Sequence, residues 1–298
     1  MRPEDSTFEV PKCCLTKQIN FVPFEWGSYH LNIAPPFGVA KCQDTGMLYL
    51  CPRPKKELRE ALYSNEIPEA LKVYTHKTYN YAAVDKLRTD DFEDRLKFFD
   101  DYFKNVERKK LLDIGTSGGT FLEKANAHKW DAYGIEPFEE DVKLCKSKGL
   151  NVINGVAESL PFDDNTFEVV HASHVFEHLD DPLIAAIEAY RVLKPGGIIF
   201  IEVPNQLDNF GFRRDMLFKR VPQRKRDITS IHHLWFFGRK TLKILLEKAE
   251  FQRVKVQNVY SKPFSGWRYP FSIFSRMLSS MFYGTYIIRA YGFKDEKV

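Results

Sequence analysis

From Lys110 onward the chain alternates short apolar runs with segments whose apolar residues return every three or four positions. The runs 110–114, 131–135, 151–153, 167–171 and 197–202 have strand length, and the stretches between them have helical spacing. That rhythm predicts an α/β domain with a parallel sheet built by right-handed crossovers. Its clearest helix spans 182–193. Asp181 can cap it, Pro182 suits its first turn, Leu183, Ile187 and Tyr190 fall on one side, and Lys194-Pro195-Gly196-Gly197 should stop it. A second helix, 240–249, points Leu242, Leu245, Leu246 and Ala249 inward, and two last strands are expected near 252–260 and 285–291.

Before Lys110 the pattern is different. Residues 1–55 carry seven prolines (3, 11, 23, 35, 36, 52 and 54) and little periodicity, which predicts an irregular or short-stranded module. Residues 56–108 read as a helical lead-in, with Phe92, Leu96, Phe99 and Phe103 on one face. The main domain is then 109–298, with 206–237 as a loop on its acceptor side. With 298 residues, 44% of them apolar, the chain can fill such a core. Its 44 basic and 40 acidic residues leave a net charge of +4, which gives no reason to expect a nucleic-acid partner. No apolar stretch follows the first basic residue as in a secretory leader, and no window approaches the roughly 18 apolar residues of a membrane span, so the expectation is a cytoplasmic protein. Five cysteines without an even framework are expected to be reduced.

The stretch LLDIGTSGGTFL, 111–122, places a glycine turn directly after the first strand, where ligands of open α/β sheets bind. Gly115 permits the turn, while Gly118 and Gly119 let the backbone approach a ligand and offer amides to an anionic group at a helix N-terminus. The next strand ends in Glu136, an acid able to accept hydrogen bonds from both hydroxyls of a ribose. Together they suit a nucleoside with a short anionic tail. A dinucleotide site would prefer G-x-G-x-x-G, which is missing, so a nicotinamide-dependent oxidoreductase is disfavoured.

Five segments in order resemble class I S-adenosylmethionine-dependent methyltransferases: LLDIGTSGGTFL; GIEP at 134–137; GVAESLPFDDNTFEVV at 155–170; EHLDDP at 177–182 with VLKPGGIIFIEVPN at 192–205; and HHLWFFGRKTLKILLEKAEF at 232–251. The resemblance implies a Rossmann-like fold with a seven-stranded, mostly parallel sheet whose last strand is antiparallel, and S-adenosylmethionine as cofactor. It implies that Asp113, Gly115 and Gly119 frame the methionine part, with Thr116, Ser117 and Pro137 also in the cofactor site, and that Glu136 holds the ribose. Ala157 and Glu158 would lie beside adenine, and His171, Ala172 and Ser173 would face the sulfonium. Ser117, Val156 and Glu168 depart from the usual residues; the lost acid at 156 bears on affinity and motivates the alternative of a non-catalytic binding protein.

Methyl transfer to a hydroxyl needs a group to accept the proton, and His174, His232 and His233 are the candidates; His178, in EHLDDP, reads as structural. The loop FRRDMLFKRVPQRKRD contains Arg213 and Arg214 among seven basic residues, a pattern suited to a phosphate on the acceptor. A small-molecule or glycan-linked acceptor, such as a nucleotide-linked sugar or a polyprenyl-phosphate glycan of polysaccharide biosynthesis, would carry one; a quinone precursor is the alternative. The aromatic stretch 263–286 reads as core or lid, with contact to a membrane surface as the lesser alternative. The resemblance implies a further feature, since in many relatives roughly the first 50 residues look like a zinc ribbon. Here Thr45 stands where a cysteine would be and Cys13-Cys14 lacks the two-residue gap, so a metal-free remnant is expected; a bound metal would need an irregular set such as Cys13, Cys42, Cys51 and His30.

Overall fold

The structure, a computed structural model, describes residues 7–31, 33, 36–61, 89–207, 212, 216–218, 231–259 and 287–295. The N-terminal segment is made of short pieces: β1 (Phe8–Glu9), β2 (Phe21–Pro23), α1 (Glu25–Leu31), β3 (Val39–Cys42), β4 (Leu48–Leu50), β5 (Arg53–Pro54) and α2 (Lys56–Ala61). Next come α3 (Thr89–Tyr102), β6 (Lys110–Ile114), α4 (Thr120–Ala127), β7 (Asp131–Glu136), α5 (Glu139–Ser147) and β8 (Asn151–Asn154). They are followed by β9 (Phe167–Ser173), α6 (Pro182–Val192), β10 (Leu193–Pro204), β11 (Trp235–Phe236), α7 (Arg239–Lys248), β12 (Gln252–Val259) and β13 (Ile287–Phe293).

Seven strands form one sheet in the order β12-β13-β10-β9-β6-β7-β8, with its last strand antiparallel. Leu111 pairs with Ala132 on one side and Val169 on the other, so β6 lies centrally among parallel neighbours. Its central strands β6 and β9 are apolar because both of their faces are covered. On one face α3 contributes Phe92, Leu96, Phe99 and Phe103, which are buried with Leu111, Phe121, Trp130 and Phe200.

A second, four-stranded sheet has the order β11-β4-β3-β2. Trp235 pairs with Tyr49 and Phe236 with Leu48, so a segment nearly two hundred residues downstream completes the N-terminal sheet. The chain accordingly divides into two compact units that are not linear: one holds 1–77, 203–244 and 256–289, the other 78–202, 245–255 and 290–298.

One local expectation is corrected. Helix α6 buries Leu183, Ala185, Ala186, Ala189 and Val192, whereas Ile187 is half exposed; the small alanines form the packed side, not the Leu183–Ile187–Tyr190 stripe. The helix stops at Val192, and β10 begins directly at Leu193. The helix ends where its last carbonyls find another donor: the ammonium of Lys294 bonds to the carbonyls of Tyr190 (2.9 Å) and Leu193 (2.8 Å). Gly196, at φ +78°, then sets the irregular register between Leu193 and Ile198, and the Gly196 and Lys294 amides donate to the Lys294 and Gly197 carbonyls.

Candidate functional site

The glycine turn between β6 and α4 is held by its neighbours. Gly115 adopts φ +72°, its N–H donates to the Ile135 carbonyl, and a Cβ there would lie 2.4 Å from Val175 Cγ2. Ser117 has φ +48°, a conformation that a glycine would adopt more easily. Thr116 is buried and bonds through Oγ1 to the Asp113 carbonyl at 3.0 Å. The carbonyls of Ser117 and Gly118 are taken by Cys145 Sγ (3.1 Å) and Lys148 Nζ (2.7 Å). The Gly118 N–H has no partner among the described residues, and a Cβ on Gly118 would meet nothing nearer than Leu144 at 3.9 Å. One free amide beside open space is what an anionic ligand group requires.

Gly119 is different from expectation. A Cβ there would strike Leu150 Cδ1 at 2.4 Å and Cys145 Sγ at 3.0 Å, so it is the protein's own packing that excludes a side chain at this position.

Glu136, the last residue of β7, is buried, with Oε2 accepting from Ser117 N at 2.8 Å and Oε1 from Phe138 N at 3.2 Å. Burial pushes its carboxyl up to about 7, against the opposing pull of those two amides. Asn154 pins the following turn by donating to the carbonyls of Glu136 and Pro137. Ala157 is buried and Val156 half exposed, while Glu158 Oε1 accepts from the Asp181 amide at 3.2 Å and is held above the usual carboxylate range by burial.

At the end of β9 the expectation for His171 is corrected. Its ring is enclosed: Nδ1 is 2.6 Å from Asp113 Oδ1, Nε2 is 3.0 Å from Arg95 Nη1, and Phe121 and Phe200 stack on its two faces at 3.8 and 5.1 Å. Asp113 is engaged by the same bond and is buried with it. Ala172 is buried, and Ser173 Oγ donates to Glu202 Oε1 at 3.2 Å. His174 follows at φ +58°, half-buried, with Nδ1 3.4 Å from Glu177 Oε1 and Nε2 3.6 Å from Glu202 Oε1. His178 Nε2 stands 3.8 Å from the same Glu177 oxygen. Arg95, Glu202 and Glu177 were missed in the sequence. The signals were there: Arg95 interrupts the apolar stripe of α3, and Glu202 sits inside the buried run IIFIEV.

His232 and His233 belong to the other compact unit, where both are half-buried and His233 Nδ1 is 2.9 Å from Gln206 Oε1. Arg213 and Arg214 lie outside the described residues, as does the 263–286 stretch.

In the N-terminal segment two turns repeat one hydrogen-bond pattern. Cys13 N donates to Gln18 O, Lys17 N to Cys13 O and Gln18 N to Thr16 Oγ1; Cys42 N donates to Met47 O, Gly46 N to Cys42 O and Met47 N to Thr45 Oγ1. Each turn has cysteine first, threonine fourth and a positive φ fifth, at Lys17 (+60°) and Gly46 (+77°). The turns face one another, with Cys13 Sγ 3.8 Å from Thr45 Oγ1. Two hydroxyls thus occupy the places of two thiolates, a donor set that does not fit structural zinc. Hydrogen bonds from Cys14, with the Leu15 and Thr16 amides and Cys42 adding to them, pull the Cys13 thiol down to about 5 against the effect of burial. The His30 side chain lies outside the described residues.

A family model described as a methyltransferase domain matches residues 84–256. Among curated proteins, a demethylmenaquinone methyltransferase of a Geobacillus strain is 32% identical over 156 residues, 48% of this chain and 64% of that one. A phthiotriol/phenolphthiotriol dimycocerosates methyltransferase of Mycobacterium tuberculosis is 37% identical over 98 residues, 30% and 35% of the two chains. The chain thus spans between about a third and two thirds of these relatives. Among solved structures, a phosphoethanolamine N-methyltransferase 2 of Haemonchus contortus in complex with S-adenosyl-L-methionine superposes with TM-score 0.54 at 14% identity, over 83% of this chain and 63% of that one. A SAM-dependent methyltransferase of Archaeoglobus fulgidus gives 0.51 at 23% identity, over 73% of this chain and all of that one. At these identities the likeness is one of fold.

Proposed function

The chain belongs to the methyltransferase domain family, and from that premise we propose that it transfers a methyl group from S-adenosylmethionine to a hydroxyl of a small or glycan-linked, phosphate-bearing acceptor. The observation that carries the donor side is the buried carboxylate of Glu136 beside the glycine turn, with the unpartnered Gly118 amide next to it. Glu136 would accept the ribose hydroxyls and Gly118 would meet the carboxylate of the methionine tail. The bound cofactor supplies an electrophilic methyl on a sulfonium.

In-line displacement asks little of the protein beyond alignment, and positioning can contribute about 7–11 kcal/mol to the rate. The hydroxyl proton must still leave. His174, at the end of β9 and flanked by two carboxylates, is our first candidate to take it; His232 and His233 remain candidates from the other unit. For the acceptor, support comes from the seven basic residues of 213–226, which suit a phosphate. The matched demethylmenaquinone methyltransferase favours a second reading, a quinone precursor. Among the described residues no helix is long and apolar enough to cross a membrane, and we keep the cytoplasm as the expected location.

Calorimetry with S-adenosylmethionine and S-adenosylhomocysteine is the first test, and no binding of either at millimolar concentration would leave only a non-catalytic fold. Acceptor screening with nucleotide-linked sugars, polyprenyl-phosphate glycans and quinone precursors is the second. If a phosphate-bearing acceptor is found, neutralising Arg213 and Arg214 together should raise its KM and leave cofactor affinity unchanged. Added salt should mimic that change, since exposed charges are screened over about 8–10 Å.

A further inference from the structure

A buried chain of polar groups crosses the ends of three strands. Arg95, from α3, places Nη1 3.0 Å from His171 Nε2 on β9 and Nη2 2.7 Å from Glu202 Oε1 on β10; His171 Nδ1 is 2.6 Å from Asp113 Oδ1 on β6. The four side chains are between 1 and 5% exposed.

Their chemistry fixes the hydrogens. A guanidinium only donates and an ionised carboxylate only accepts. His171 Nε2 must therefore be the bare nitrogen that accepts from Arg95, and Nδ1 must carry the hydrogen given to Asp113. A second proton on Nε2 would point at the guanidinium, setting two donors and two positive charges against each other at low dielectric. Phe121 and Phe200 cover both ring faces and offer no acceptor.

The same arginine anchors Glu202, which also receives Ser173 Oγ and stands 3.6 Å from His174 Nε2. The His174 amide donates to the Glu202 carbonyl at 2.8 Å, which holds this residue at its positive φ. Glu177, from the segment after β9, faces the other imidazole nitrogen, with His178 beside it. His174 thus has a carboxylate on each side, whereas His171 Nε2 faces a guanidinium, so a proton is favoured on His174 and disfavoured on His171.

We propose that Arg95 is a positioning residue of the transfer site: it locks His171 as the neutral Nδ1–H tautomer and anchors Glu202, so that a proton reaching these strand ends goes to His174. This deepens the reading of His174 as proton acceptor and rests on it.

The test is the nitrogen spectrum of the full-length chain labelled with 15N-histidine, assigned with His171→Gln and His174→Gln. It needs neither cofactor nor acceptor, so its outcome is separate from that of calorimetry, on which the methyltransferase reading stands or falls. The expected result is one protonated and one bare nitrogen on His171, unchanged between about pH 6 and 8, while His174 changes over the same window in which histidines titrate. Arg95→Met should lose the bare-nitrogen signal of His171 near pH 6, and Arg95→Lys, which keeps a cation, should retain it. A wild-type His171 protonated on Nε2, a His174 spectrum that stays constant, or an intact bare-nitrogen signal in folded Arg95→Met would each overturn the proposal. If Arg95→Met does not fold, the wild-type spectrum and Arg95→Lys decide it: loss of the bare signal in Arg95→Lys overturns it.

Discussion

The carboxylate of Glu136 accepts the backbone N–H of Ser117 at 2.8 Å, tying the end of one strand to the glycine turn that follows its neighbour. The bond keeps Ser117 at its positive φ and leaves Glu136 ready beside the turn. Glu136→Ala should weaken S-adenosylmethionine by about 1.5–3 kcal/mol, the range for hydrogen bonds to a charged group. Calorimetry reads this directly, and an unchanged affinity would place the ribose elsewhere.

Glu136 also makes binding depend on pH. Burial raises its folded-state value to about 7 from an ordinary 4.5. An acid raised in this way holds its proton more firmly in the folded protein, so its contribution to stability is full at low pH and is lost as pH rises through about 7. Binding runs the other way, because ribose hydroxyls donate to the ionised form. Affinity for S-adenosylmethionine should rise by about tenfold from pH 6 to pH 8, and Glu136→Gln should flatten that rise. A titration series at matched ionic strength decides it.

Gly119→Val should be a folding defect rather than a binding defect. The position has φ +83°, and its Cβ would overlap Leu150 and Cys145. Left-handed strain of about 1–2 kcal/mol and overpacking of about 1–3 kcal/mol should add to a marked loss of thermal stability. Gly118→Ala, whose Cβ would meet nothing nearer than Leu144 at 3.9 Å, should change stability by no more than about 0.5 kcal/mol and act on cofactor affinity instead. Equal melting temperatures for wild type and Gly119→Val would show that α5 yields more easily than its packing suggests.

The paired N-terminal turns make a prediction about zinc. Protein purified without chelator should carry less than about half an equivalent, since two of four positions are hydroxyls. Thr16→Cys with Thr45→Cys would complete four thiolates on turns of matching geometry, and the double variant should retain about one equivalent by elemental analysis. Zinc at full occupancy in the wild type, lost in Cys42→Ser, would contradict the reading of these turns.

The order of strands and helices from Lys110 was legible in the chain because the central strands are buried on both faces and the helices on one, so burial prints its period on the sequence. Phe92, Leu96, Phe99 and Phe103 were readable for the same reason, and all four are buried. The glycine turn and Glu136 were found because a ligand crevice at a strand end demands few residue types. Other features depend on long-range partners, which leave no period. Trp235 joins Tyr49, Lys294 ends α6, and Arg95 is linked to Asp113 through His171, each across tens to hundreds of residues of chain. The direction of Gly119 was equally hidden, since a glycine shows that a Cβ is excluded but not which atoms exclude it. The sequence by itself determined the layers and the ligand turn, through local periodicity and backbone conformation. Only the tertiary structure decided which buried charge neutralises which, because that depends on angstrom distances between elements that packing alone brings together.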